Sequence, residues 1–159
     1  MNENNLEKII NNIVGDAIVK EVMSLKLAVK LIETVEEKAA EMGLAVVVVV
    51  SDASGRPIAV HCMDGAYHGS FDVAVNKTYT STAFQMSTAK LSRLCQPGQD
   101  LYGLQFSNNG KVMILGGGEP LMVGKTMIGA LGVSGGSAQE DSDLAAYGAS
   151  ALKEVIKCL

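Results

Sequence analysis

The residues best suited to chemistry in this sequence are two histidines and the methionines near them. His61 and Met63 stand two apart in an apolar run read as a strand, so both side chains turn to one face. His68 follows Tyr67 in a loop before a helix, and Met86 closes that helix. Imidazole as first ligand and thioether as second is one way proteins hold haem iron. His68 has the exposure a ligand needs. Each residue also has a plainer use, since a strand histidine is often half buried with its own partner and a surface histidine is commoner than a ligand. Two histidines without a cysteine pair do not build a structural zinc site. No Cys-x-x-Cys-His occurs, which excludes a covalently attached c-type haem.

A second concentration of chemistry is the glycine cluster. Of 17 glycines, 11 fall between Gly98 and Gly136. Gly116-Gly117-Gly118-Glu119-Pro120 interrupts an apolar run, and Ser134-Gly135-Gly136-Ser137 precedes a helix. Glycine within strands marks bulges, close backbone approach, or a ligand that comes close. Read as a cluster, Gly117, Gly118 and Glu119 favour a binding site, and Lys77 in an earlier helix is the cation able to join them. Turns and close packing are the plainer reading, with Lys77 as a solvated helix lysine. The amides of Ser134 to Gly136, at a helix start, can hold an anion.

Other chemistries lack their parts. There is no Gly-x-Ser-x-Gly elbow, and Ser134 has no evident base. Between Ala53 and Ala138 the only acids are Asp64, Asp72, Asp100 and Glu119, a thin supply for paired-carboxylate catalysis. Gly124-Lys125-Thr126 lacks the earlier glycine of a phosphate loop, and no βαβ unit surrounds the glycines.

The elements that must position these residues follow from periodicity. Leu6, Ile9, Ile10, Ile13, Val14, Ala17 and Ile18 form the stripe of an amphipathic helix over residues 4–22, the form of a docking segment. Ser24 caps a second helix with Leu27, Leu31, Val35, Ala39 and Met42 inward and Gly43 at its end. Leu44 to Val50 is an unbroken apolar run, a strand covered on both faces. Asp52 to Gly55 turns it into a hairpin with Pro57–Met63. Helices are expected at Ser70–Met86, Ser87–Cys95 and Gln99–Leu104. Three strands follow, at Met113–Leu115, Leu121–Val123 and Thr126–Val133, then a helix over Ala138–Leu159 with Glu140, Asp141 and Asp143 near its positive end. The expected fold is α/β (α+β), a five-stranded, mostly antiparallel sheet between helical layers.

The chain has 159 residues, net charge −4, 48 % hydrophobic and 19 % charged residues. That suits one domain with a real core and argues against a nucleic-acid binder, which shows a basic face. No apolar run approaches the ~20 residues of a membrane span. Three cysteines without metal spacing, and an N-terminus without a signal pattern, point to a cytoplasmic protein with reduced thiols.

In order along the chain stand Val49-Val50-Ser51-Asp52 with Gly55, Met63-Asp64-Gly65-Ala66, Lys77, Phe84 with Ser87-Thr88, Gly117-Gly118-Glu119-Pro120, Ile128-Gly129-Ala130-Leu131-Gly132-Val133-Ser134-Gly135-Gly136, and Asp141. In this set the chain resembles the GlcG/HbpS-like family, which includes the C-terminal domain of PduO-type corrinoid adenosyltransferases. The match runs from about Ser24 to Leu159. The resemblance implies a profilin-like three-layer α/β/α sandwich, homo-oligomers, haem binding in several members, and a setting in corrinoid, diol or glycolate utilisation. Residues 1–22 lie outside it and look like the short helices that bring cargo to bacterial microcompartments. The division expected is therefore 1–22 as an amphipathic docking helix and 23–159 as the domain.

Three functions remain open on the sequence. The first is a non-enzymatic haem-binding accessory protein, with His68 as iron ligand and His61, Met63 and Met86 as further candidates. The second is an enzyme or binding protein for a small acid or corrinoid, using Lys77, Gly117, Gly118 and Glu119. The third is a scaffold cargo that meets a microcompartment shell or core protein through residues 4–20.

Overall fold

The computed structural model describes residues 22–159. The helix expected over 4–22 therefore lies outside the described residues, apart from Val22 at a bend. The elements run α1 (Leu25–Glu41), β1 (Val47–Asp52), β2 (Pro57–Cys62), α2 (Ser70–Phe84), α3 (Thr88–Leu94), β3 (Gly118–Val123), β4 (Thr126–Ser134) and α4 (Ala138–Lys157).

Among the described residues the sheet has four strands, not five, in the order β2-β1-β4-β3. Every neighbouring pair is antiparallel. The missing strand is Met113–Leu115. Its amide at Met113 bonds the Thr80 hydroxyl at 2.8 Å, and Leu115 is half exposed. With β3 already the edge of the sheet, this segment packs on a helix instead of joining the ladder. Gly118, Glu119 and Pro120, expected as a turn, are the first half of β3. Pro120 suits that place because an edge strand need not use every N–H.

β1 shows why its apolar run does not alternate. Val47 and Val49 meet Ala74 of α2 on one face. Val48 and Val50, with Val46 just before the strand, join the main core on the other, with Leu31, Ile32 and Val35 of α1 and Leu144 and Leu152 of α4. Helices thus cover both faces. A separate small core gathers Leu91, Cys95 and Val112 under α3, with Phe84, Met86, Leu104 and Ile114 against it. The helix expected near Gln99–Leu104 is instead a run of turns up to Gly103, followed by two short 3-10 helices, Leu104–Phe106 and Asn108–Gly110. Gly103 with φ 95° and Asn109 with φ 56° break the helical path.

Local signals set the helix ends. The Ser24 hydroxyl accepts the Leu27 amide at 3.1 Å, and Gly43 follows α1 with φ 71°. At α4, Ser137 and Glu140 exchange bonds in a capping box, the Glu140 carboxylate accepting the Ser137 amide at 2.7 Å.

Between β4 and α2 the backbones come unusually close. Gly118 and Gly132 are paired across β3 and β4. A Cβ on Gly132 would strike the Ala74 carbonyl of α2, and one on Gly118 would lie 2.8 Å from the Lys77 carbonyl. Two glycines side by side therefore seat α2 directly on the sheet. Gly132→Ala is expected to destabilise the fold by about 1–3 kcal/mol, the usual cost of overpacking a rigid contact. A shift of the urea midpoint at constant slope is the measurement that checks it.

Candidate functional site

α2 lies along the sheet so that Ala74, Lys77 and Ser81 face β3 and β4. Lys77 is consequently buried, 1 % exposed, in a place that is otherwise backbone. Its ammonium donates to the Val133 carbonyl at 2.6 Å and to Asp141 Oδ2 at 2.7 Å. Asp141, on the first turns of α4, is 4 % exposed. Its other oxygen, Oδ1, accepts the amides of Gly135 at 3.1 Å and Gly136 at 2.9 Å. The amides that could have held an external anion are therefore occupied by the chain's own carboxylate. Gly117, with φ 109°, completes the enclosure: a Cβ there would sit 2.6 Å from the Val133 carbonyl and 2.8 Å from Lys77 Nζ. Gly118 donates its amide to the Thr88 hydroxyl at 2.9 Å.

Burial pushes the Lys77 ammonium below its ordinary pKa, while Asp141 pulls it back up by hydrogen bond and charge. A lysine tied at two acceptors and walled in by glycine is a brace, not an amine presented to a substrate. It joins α2, the end of β4 and the start of α4.

Of the residues nominated from sequence, the fold gathers Lys77, Gly117 and Gly118 at this junction. Glu119, the next residue of β3, turns to the opposite face of the sheet. It is half buried, and burial raises its carboxyl above the ordinary 4.5. His61 and Met63 both sit on the α1 face. His61 Nδ1 lies 3.2 Å from both carboxylate oxygens of Glu36, and Met63 packs on the main core. His68 is exposed at the loop into α2, between Tyr67, 74 % exposed, and Phe71, 45 % exposed. Met86 belongs to the small core at the far end of the same helix. The 15 residues of α2 span about 22 Å, so His68 and Met86 of one chain cannot bind one iron. Among the described residues, no group of three His, Cys, Asp or Glu side chains is placed to hold a metal ion.

Asp141 was read from sequence as a helix-dipole acid and as one mark of the family resemblance, not as the partner of Lys77. Its signal was present: it shares the inward stripe of Leu144, Ala145 and Gly148. A carboxylate on an apolar stripe needs a buried partner, and Lys77, on the stripe of Ala74 and Ser81, is the matching cation. Thr88 carried no such signal.

The family model described as "Haem degrading protein HbpS-like" matches residues 23–150. The chain belongs to this HbpS-like family. It is 39 % identical over 123 residues to the uncharacterized 15.0 kDa protein of the dhaT-dhaS intergenic region of Citrobacter freundii, covering 77 % of this chain and 87 % of that one. It is 39 % identical over 109 residues to the corrinoid adenosyltransferase PduO of Salmonella typhimurium (strain LT2), covering 69 % of this chain. There it spans only 32 % of the relative's length. Among solved structures, the PduOC:heme complex superposes with a TM-score of 0.78 at 35 % identity, covering 82 % of this chain and 94 % of that one.

Two substitutions test the electrostatics. Lys77→Met leaves the Asp141 carboxylate buried without its cation and is expected to cost about 3–5 kcal/mol by chemical denaturation. Glu119→Gln is expected to stabilise at pH 7. The folded carboxyl has its pKa raised, so its stabilising contribution is complete below 4.5 and is lost as pH rises through the folded value. The glutamine variant escapes that loss, and its advantage over the parent should close as pH falls below 4.5 in a denaturation series.

Proposed function

We propose that this chain is a haem-binding accessory protein in which His68 supplies the iron ligand. The observation that carries the reading is the likeness to a relative solved in complex with haem. The residues present fit such a group in one place. His61 is engaged by Glu36, whereas among the described residues the His68 imidazole meets no side-chain hydrogen-bond partner and is exposed beside two exposed aromatic rings. Haem, when bound, supplies a redox-active iron with a further coordination position. His68 offers a nitrogen lone pair to that iron, and Tyr67 and Phe71 form an apolar ledge that keeps water from one side of a flat macrocycle. An exposed ledge covers only one side, so a second protomer completes the enclosure. That makes the working unit a homo-oligomer. Lys77 and Glu119, the pair on which a catalytic reading would depend, stand on opposite faces of the sheet, which supports a non-enzymatic role.

The relatives support a setting as well. The family resemblance implies a place in corrinoid, diol or glycolate utilisation, and a relative that is a corrinoid adenosyltransferase supports the corrinoid part of it. A corrinoid is the less favoured ligand. The adenosyltransferase activity is not carried over, because the chain spans about a third of that protein. The amphipathic pattern of residues 4–20 supports a cytoplasmic protein recruited to a microcompartment shell or core protein. Diffuse fluorescence of a reporter fused to residues 1–22 in shell-producing cells would refute that recruitment.

Hemin titration tests the central reading. The parent is expected to bind at micromolar concentration with a shifted Soret band. His68→Ala should weaken binding at least tenfold and move the band, while His61→Ala leaves both unchanged. An unaltered spectrum and affinity in His68→Ala would refute the assignment.

A further inference from the structure

We propose that a groove beside the β3–β4 turn binds a straight-chain carboxylate, an apolar tail that ends in one anionic head. The groove holds about 380 Å3 and lies between the end of β3 and the last turns of α4. Leu152 and Ile156 stand one helical turn apart and form its floor with Val123. Met122, 45 % exposed, is the wall on the hairpin side. Lys153 and Lys157, also one turn apart, make a parallel ridge along the α4 rim.

Three observations give the ligand its chemistry. The first is size. Small-molecule sites hold about 300–1,000 Å3, are concave and mostly apolar, and carry a few polar groups. This groove stands at the small end of that range, which suits a chain rather than a ring system. The second is the floor. Leu152 belongs to the main core, and Val123 and Ile156 pack against it, so the apolar lining is held in place before a guest arrives. The third is charge. Lys157 donates to Glu154 at 2.7 Å, which commits the acid of this turn. Lys153 enters no ion pair among the described residues. An unmatched ammonium on the rim of an apolar slot calls for an anion with a tail.

Other occupants fit less well. An inorganic anion gains nothing from the floor, and a neutral alkane or alcohol leaves Lys153 without a counter-charge. A second copy of the chain needs a face of about 800 Å2 per partner, which a slot between one helix end and one hairpin does not offer. A lysine stem lies along apolar surface with its head in water, so the carboxylate sits at the rim and the tail runs inward along Leu152 and Ile156. The groove belongs to the α4 side of the sheet and His68 to the loop into α2, so the inference stands apart from the haem reading.

Calorimetric titration of the full-length chain with sodium octanoate tests this. Octanoate is expected to bind with a Kd of about 0.1–1 mM, the range open to so small a ligand in an open slot. A buried methylene is worth up to about fourfold in affinity, so hexanoate should bind roughly five- to fifteenfold more weakly. Octanol, a tail without charge, and acetate, a head without tail, should each lose at least tenfold. Lys153→Glu should weaken octanoate at least tenfold while Lys153→Arg retains it, and Met122→Asp should abolish it. Both positions are exposed, so the urea midpoint is expected to stay unchanged. In amide NMR spectra octanoate should move residues 122–124 and 152–157 and leave those around His68 in place. Equal affinity for hexanoate and octanoate, unaltered affinity in Lys153→Glu, shifts that map elsewhere, or no binding at ten times the expected Kd would each overturn the proposal. Should a variant unfold, the shift map and chain-length series of the parent decide alone.

Discussion

The ion pair of Lys77 and Asp141 is the constraint on which the rest of the structure depends. Both groups are almost wholly buried, and each is satisfied on every side that counts. The ammonium holds the Val133 carbonyl near the end of β4, and the carboxylate holds the two glycine amides that turn the chain into α4. Such a pair does not by itself guarantee stability, because desolvation offsets most of its attraction. What it does is fix geometry. α2 on one face and α4 on the other are tied to the same end of β4, so the three layers keep one register.

The glycines serve that arrangement. Gly118 and Gly132 let the α2 backbone rest on the sheet, and Gly117 leaves room for the ammonium. Gly148 does the same between α4, Leu131 and Val35. At these positions an apparent ligand cradle is filled by protein. Among the described residues, grooves lie elsewhere: beside the β3–β4 turn, where Met122, Val123, Leu152 and Ile156 line one of about 380 Å3, and along the start of α1.

Much of this was legible in advance. The non-alternating valines of β1 required cover on both faces, and two helical layers supply it. Ser24, Gly43, Ser137 and Glu140 marked helix ends by side-chain chemistry that acts within a few residues. The fifth strand was misread because Met113–Leu115 has the composition of a strand but no ladder to join. Glu119 and Lys77 were joined on the strength of both being isolated charges near glycine, and strand alternation separates them.

The sequence by itself determined most of the local content: the long helices and the β1, β2 and β4 strands, where α1 and α4 start, and that the sheet lies between two layers. Those properties depend on periodicity and on bonds spanning three or four residues, so one dimension is enough to read them. Only the tertiary structure decided that Lys77 and Asp141, 64 positions apart, share a proton network. It also decided that His61 has a partner in Glu36, and that His68 and Met86 lie at opposite ends of one helix. The reason is that burial and pairing of a charge depend on which distant backbone arrives beside it, and that is set by the packing of the whole sheet.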